Sequence, residues 1–269
     1  MGILDPVTGK PMTYCDKTAE QIRESMNSRY ETNSAYTLNI LWDQRRMEDL
    51  NQKTLDYIGD SPGRILEVCC GQRGSAAYLD PLADYTGVDL SDVAVALAQQ
   101  AFPEFTYRQM NACQLDFEDS TFDTVIAKEA IEHLLEPALA LTEWHRVLKP
   151  GGVLVLTTPN RDSLHLRINR QLGHQDFLCS YDHVKEFTYT EMVSMMESAG
   201  FGLVDSCGSF LMPYWGIPGV DGPVRHYTDH DEDVVDWLQD LGDRVGADYA
   251  FCMVIKARRQ SAPPPGLAW

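Results

Sequence analysis

Basic residues are scarce in this chain. Its 269 residues carry 22 Lys and Arg against 40 Asp and Glu, a formal net charge of −18. Such a surface repels phosphate backbones and anionic bilayers. Two short basic runs, RDSLHLRINR and KARR, are too small to reverse that. No nucleic-acid partner and no membrane partner are expected; a small-molecule substrate, free or carrier-bound, is. Disulfide and zinc frameworks are also lacking. The cysteines number seven, none stands in a C-x-x-C pair, and Cys69 and Cys70 are adjacent. Reduced, mostly buried thiols in a cytoplasmic protein fit that pattern. No secretory leader pattern and no apolar run of membrane-spanning length are read, which agrees with a cytoplasmic setting.

What is present is ordinary globular composition, 44% hydrophobic and 23% charged, arranged in alternation. Residues 1–60 read as a helical cap or lid, with TAEQIRESMNSRY and AYTLNILWDQRRMEDLNQKTLDYIG showing helical periodicity. From 61 to 260, apolar runs alternate with helical stretches. RILEVCC, ADYTGVDL, FTYRQMN, FDTVIAKEA, GVLVLTTPN, GLVDSCGSF and YAFCMVIKARR read as strands. SAAYLD, SDVAVALAQQAF with Ser91 as N-cap, IEHLLEPALALTEWHRVL, YTEMVSMMESAGF and DEDVVDWLQDLGDRVG read as helices. The pattern predicts an α/β, doubly wound sheet. Inserts near 161–188 and 211–230 stand on the substrate side, and the Pro-rich tail 261–269 is expected to be mobile.

The most informative stretch is ILEVCCGQRGS. Cys69, Gly71 and Gly74 occupy the three positions of a G-x-G-x-x-G turn, with cysteine in place of the first glycine. That residue is tolerable there if its φ stays negative. Arg73 is expected to face solvent or to pair with Asp80. Asp89 ends the next strand, where a carboxylate can accept bonds from ribose hydroxyls; capping of the next helix is its alternative use. Glu67, inside the first strand, would oppose an anionic pyrophosphate and favour a cationic ligand.

Here the chain resembles the class I S-adenosylmethionine-dependent methyltransferases of small-molecule type. ILEVCCGQRG and TGVDLS resemble the family's first two motifs. FTYRQMNACQLDFEDSTFDTVIAKEAIEHL resembles its adenine loop and fourth strand, and EWHRVLKPGGVLVLTTPN is the most specific piece. The resemblance implies a Rossmann-like, seven-stranded, mostly parallel sheet with the last strand antiparallel, and S-adenosylmethionine as cofactor. It implies that Glu67 and the backbone of Cys69 to Gly71 meet the methionine part. Asp89 would hold the ribose, Leu90 the adenine ring, and Asn111 and Ala112 the adenine edge. Lys128 would lie beside the sulfur. Tyr30 lies outside the resemblance, which covers roughly residues 64–259; as part of the expected lid it is placed over the cofactor.

For catalysis the candidates are His183 in SYDHVKEF, His133 in KEAIEHL and Tyr214 in the second insert. Packing roles are the alternatives for both histidines. Glu129, Glu132 and His133 are spaced to share one helical face. Some similar ubiquinone-type O-methyltransferases hold a divalent ion there, but the spacing recurs without metal, so no metal is expected. The N-P-P-Y motif for amide or exocyclic nitrogens is absent. Tyr14, Tyr30, Tyr36, Tyr214, Trp215 and Tyr227 would line a substrate rim or form a homodimer contact. The implied reaction methylates an oxygen or nitrogen of a small, acidic-to-neutral metabolite. An intramolecular cyclase releasing methylthioadenosine, of the azetidine-2-carboxylate type, and a non-catalytic cofactor-binding protein remain the alternatives.

Overall fold

The computed structural model describes residues 18–31, 41–60, 62–180, 182–228 and 230–260. Tyr14, Tyr36 and the expected tail 261–269 lie outside the described residues. All seven expected strands form: β1 (Ile65–Val68), β2 (Tyr85–Asp89), β3 (Thr106–Gln109), β4 (Phe122–Lys128), β5 (Leu148–Pro159), β6 (Phe201–Ser209) and β7 (Cys252–Arg259). They join one sheet in the order β3-β2-β1-β4-β5-β7-β6. The first five pair in parallel, and β7 runs antiparallel between β5 and β6. This is the doubly wound, mostly parallel sheet that the sequence implies.

Alternation along the strands feeds two apolar layers, because successive side chains point to opposite faces. Leu66 and Val68 of β1 enter one cluster with Val125, Leu154, Leu156 and Trp144. Ile65 enters another with Tyr85, Ala98, Phe105 and Ile126. The helices α3 (Asp92–Ala101), α4 (Pro137–Val147) and α6 (Tyr189–Ser198) cover β2 and β3, β5, and β6 respectively. Ser91 caps α3, its Oγ accepting from Ala94 N at 3.0 Å. Thr188 and Glu191 form a reciprocal capping box on α6.

The local readings differ from the fold in three places. SAAYLD yields only a 3-10 turn at Ala76–Tyr78. The helix read from residue 131 onward is broken: Ile131–His133 form a 3-10 turn, and α4 starts at Pro137, whose fixed φ suits a first helical turn. Two short helices in the inserts, Leu164–Gln171 and Asp221–Thr228, were not legible as such. We number these α5 and α7, and Glu232–Val245 is α8.

The N-terminal region divides in two. The first helix, α1 (Ala19–Glu31), lies on α3. The second, α2 (Leu41–Ile58), packs against β4, β5, β6, β7 and α8 and buries Trp42, Arg46, Asp49, Leu50 and Thr54. Asp49, 6% exposed, fastens it. Its carboxylate accepts from Lys53 Nζ, from Ser209 Oγ at 2.7 Å and from Gln239 Nε2 at 2.9 Å. One buried acid thus joins α2, β6 and α8.

Removing one partner of a buried ion pair strands the other charge. Asp49→Ala is expected to lower unfolding free energy by about 3 kcal/mol in urea titration. A loss below about 1 kcal/mol, the scale of an exposed pair, would show that α2 is held by its apolar face alone.

Candidate functional site

Strand order reverses between β1 and β4, and the crevice beyond the carboxyl ends of such strands is where this architecture binds ligands. Cys69, Asp89, Asn111 and Lys128 all stand at those ends. The turn after β1 is braced from beneath. Glu67, 1% exposed, accepts from Ser75 N at 2.7 Å, Ser75 Oγ at 3.2 Å and Tyr85 OH at 2.8 Å. Gly74 has φ +52°, and a Cβ there would lie 2.8 Å from Glu67 Oε2. The turn therefore closes only over glycine.

Cys69 departs from expectation. Its φ is +53°, not negative. The turn keeps the left-handed geometry that a glycine would adopt and tolerates the strain, roughly 1–2 kcal/mol. Burial, with the Asp89 charge nearby, pushes its thiol well above the usual range, so it is no thiolate nucleophile. Gly71 follows at φ +58°, and its N donates to Asp89 Oδ2 at 2.9 Å. Arg73 is exposed and makes no ion pair with Asp80.

Asp89 is 6% exposed, and Oδ1 accepts from Ser91 N at 2.9 Å. Burial raises its pKa, while the N–H groups of Ser91, Gly71 and Leu90 oppose the rise. Leu90 is half-buried beside it. Asn111 is exposed and its Oδ1 accepts from Cys113 N at 2.9 Å, leaving one lone pair for a ligand. Ala112 is buried, and its carbonyl accepts from Trp144 Nε1 at 3.0 Å. Tyr30 is brought in by α1. Asn27 Nδ2 donates to Asp92 Oδ1 at 2.9 Å and Ser91 Oγ donates to Asn27 Oδ1 at 2.5 Å. The Tyr30 hydroxyl then stands 3.0 Å from where a Gly71 Cβ would be.

The other wall comes from α2, which belongs to the expected cap, although none of its residues was among the expected site residues. Lys128 Nζ donates to Asn51 Oδ1 and, at 3.3 Å, to Ser75 Oγ, with Glu67 Oε1 at 3.9 Å. Burial lowers the Lys128 pKa, and the Glu67 and Glu129 charges oppose this. Arg46 spans Asp43 at 3.0 Å and Glu129 Oε2 at 2.8 Å. The readable signal was a charged residue on an apolar stripe: Trp42, Arg46, Asp49 and Leu50 share one helical face.

Glu129, Glu132 and His133 do not share a helical face. Glu129 has φ +48° and turns toward Arg46 and Thr157 Oγ1 (3.0 Å). His183 takes its place. Ligand atoms of Glu132, His133 and His183 lie within 4.8 Å of one another, so these three could hold a divalent cation. The His133 and His183 rings meet edge to face at 4.9 Å. Nδ1 of His183 contacts Glu186 Oε1 at 2.6 Å, and Nδ1 of His133 contacts the Asp182 carbonyl at 3.2 Å. Burial and the Glu129 charge push Glu132 up to about 8, opposed by His183. Burial alone would lower His183, but Glu186 and Glu132 raise it to about 9. Tyr214 is placed differently, in the buried cluster with Trp42, Trp215 and Phe251.

Residues 66–156 match the family model described as a methyltransferase domain. A protein of Mycolicibacterium smegmatis named as a probable S-adenosylmethionine-dependent methyltransferase is 32% identical over 147 residues, 54% of this chain and 54% of that protein. The chain thus spans about half the length of that relative. An uncharacterized methyltransferase of Synechocystis is 31% identical over 172 residues, 62% of this chain and 79% of that protein. Among solved structures, a SAM-dependent methyltransferase from Thermotoga maritima superposes with a TM-score of 0.60 at 18% identity, covering 89% of this chain and 100% of that one. That likeness is one of fold.

The buried acid and imidazole make stability pH-dependent. Glu132 and His183 hold their protons in the folded state above the unfolded values, about 4.3 and 6.5. Their contribution is whole below those values and is lost as pH rises through about 8 and about 9. Urea unfolding of chelator-treated protein should show that decline, and Glu132→Gln should flatten its lower part. The same slope in variant and parent would assign the decline to other groups.

Proposed function

We propose, because the chain belongs to the class I S-adenosylmethionine-dependent methyltransferase family, that it binds S-adenosylmethionine and methylates an oxygen or nitrogen of a small molecule. The observation that supports this reading most is the braced glycine turn with Asp89 at the switch point. The residues present fit the cofactor. Gly71 and Gly74 keep the turn free of Cβ atoms, Asp89 offers carboxylate lone pairs for ribose hydroxyls, and we assign the adenine to Leu90 and Asn111, which follow the ends of β2 and β3. Glu67, Asp89 and Glu129 place carboxylates around the turn, which suits a sulfonium and repels a pyrophosphate.

When bound, S-adenosylmethionine supplies a methyl carbon already activated by its sulfonium. The chain's own work is alignment and exclusion of water. Tyr30 and α1 cover the turn, and α2 closes the opposite side with Asn51 and Arg46. Glu186 holds a proton on the His183 ring up to about pH 9, so Nε2 can take a proton from an acceptor that starts protonated only once the ring has lost its own, toward alkaline pH. His133 stands against it and Tyr214 lines the adjoining aromatic cluster.

Calorimetry should give S-adenosylhomocysteine a dissociation constant of about micromolar, or about −8 kcal/mol, and should give NAD none. Asp89→Ala should weaken that binding by about 1.5–3 kcal/mol, the scale of charge-assisted hydrogen bonds; unchanged affinity would reduce Asp89 to a brace for Gly71. Mass spectrometry after incubation with S-adenosylmethionine decides the reaction. S-adenosylhomocysteine formed only with an added acceptor supports methyl transfer. Methylthioadenosine formed without one would replace it with the cyclase, and binding with neither product, across amine, phenol and carboxylate acceptors, with the non-catalytic protein.

A further inference from the structure

Glu132 carries a buried oxygen without a hydrogen bond. The residue is 0% exposed; its Oε2 accepts from Thr158 Oγ1 at 2.9 Å, and its Oε1 has no partner. Native structures keep few such atoms without a reason. His165 Nε2 is likewise buried and unpaired, but among the described residues no set of three ligand-type groups gathers around it. Around Glu132 one does. Its carboxylate and the rings of His133 and His183 offer ligand atoms within 4.8 Å of one another. Oε1 hydrogen-bonds neither ring, yet one ion would reach all three. Zinc holds nitrogen and oxygen ligands at about 2.0–2.2 Å, so tetrahedral partners stand about 3.3–3.5 Å apart. Each pair would close by no more than about 1.5 Å, the scale of small side-chain rotations.

The surroundings aim these ligands. A carbonyl only accepts, so the 3.2 Å contact of His133 Nδ1 with the Asp182 carbonyl puts the neutral ring's proton on Nδ1 and its lone pair on Nε2. The 2.6 Å contact of His183 Nδ1 with Glu186 Oε1 does the same for the neutral His183 ring. Cys179 N, at 2.5 Å, holds that Glu186 oxygen in place. The Glu132 carbonyl accepts from Val184 N at 2.7 Å and Lys185 N at 3.2 Å, which ties the His183 segment to the Glu132 turn. Metal-binding histidines are oriented in this way, the second ring nitrogen donating to a carboxylate or a backbone carbonyl. Here one ring has each. Glu129, which sequence spacing groups with Glu132 and His133, is taken by Arg46 at 2.8 Å and by Thr157 at 3.0 Å and stands outside the set.

We propose that Glu132, His133 and His183 bind one divalent ion of the zinc class, through Nε2 of each ring and Oε1 of the acid. Two imidazoles and one carboxylate suit zinc and its first-row neighbours, whereas magnesium and calcium take oxygen sets. Three protein ligands leave a fourth position, which takes water. His133 is the most exposed of the three, which makes its side the path of entry. With the ion bound, the His183 Nε2 lone pair is occupied and His183 is no longer a base toward an acceptor. That consequence rests on the methyltransferase reading; the ion site does not.

The full chain, stripped with a chelator and dialysed, is titrated with zinc against a chromophoric chelator, and with cobalt(II) as a spectroscopic probe. One equivalent of zinc should bind with a dissociation constant of about micromolar or tighter, and millimolar magnesium or calcium should not displace it. Cobalt(II) should give the visible bands of a four- or five-coordinate nitrogen–oxygen site, without a thiolate charge-transfer band. Glu132→Gln and His183→Gln should each weaken zinc at least about a hundredfold, and Glu186→Gln, which only orients His183, about ten- to a hundredfold. His133→Gln, at the exposed edge, carries the same test should the buried variants not fold. Glu129→Gln should change the affinity no more than a few-fold, and so should His226→Ala, at an exposed histidine pair. Absence of zinc binding, displacement by magnesium, equal loss in Glu129→Gln, or affinity retained in Glu132→Gln and His133→Gln would overturn the proposal. These readings use no S-adenosylhomocysteine, so their failure leaves the methyltransferase reading standing, and failure of that ligand to bind leaves the ion site standing.

Discussion

The site depends on one buried carboxylate. Glu67 sits inside β1, away from water, and takes hydrogen bonds from the turn (Ser75) and from the neighbouring strand (Tyr85), with the Lys128 ammonium on its far side. A lone ionised acid there would be costly. Surrounded as it is, it converts that cost into geometry. Ser75 is pulled down, Gly74 must lack a Cβ, and Cys69 is driven into a conformation that few residues other than glycine accept. Asp89 repeats the device one strand over, holding Gly71 N. Two acids from adjacent parallel strands thus set the open edge of the turn.

Much of the fold was legible because strands covered on both faces, above all β1, β4 and β5, are apolar runs, and seven strand-like stretches alternate with helical ones. The candidate cofactor residues were legible for the same reason, since they follow the strand ends. What was not legible had non-local causes. Glu129, Glu132 and His133 fit a helical face by spacing, yet Arg46, from a helix eighty residues earlier, draws Glu129 aside and leaves a 3-10 turn. His183 reaches Glu132 and His133 only through tertiary structure. Cys69 was judged by its own side chain, whereas the brace beneath the turn decides its φ. Arg46, Asn51 and His165 carried a local sign, polar residues on apolar stripes, that periodicity alone assigns to packing.

The two halves of the crevice differ in kind. At the ends of β2 and β3, Asp89 and Asn111 are paired with backbone N–H groups. Around α2, α5 and residues 177–180 and 182–186, charges are paired with each other and several polar atoms have no partner. Function in this fold is a property of such sites and not of the sheet.

The position of β7 has a consequence for how the chain comes into being. It follows all the other described strands in the chain, yet it pairs on both sides, with β5 and with β6. Among the described strands β6 touches the sheet only through it. During synthesis β1 to β5 can assemble as a nascent unit. The fifth strand, however, keeps an open edge of Val153, Val155 and Thr157 until residues 252–259 emerge. Unpaired edges of that kind invite pairing with other chains. Translation speed between residues 159 and 252, and chaperone occupancy of that edge, thereby become determinants of how much protein is recovered.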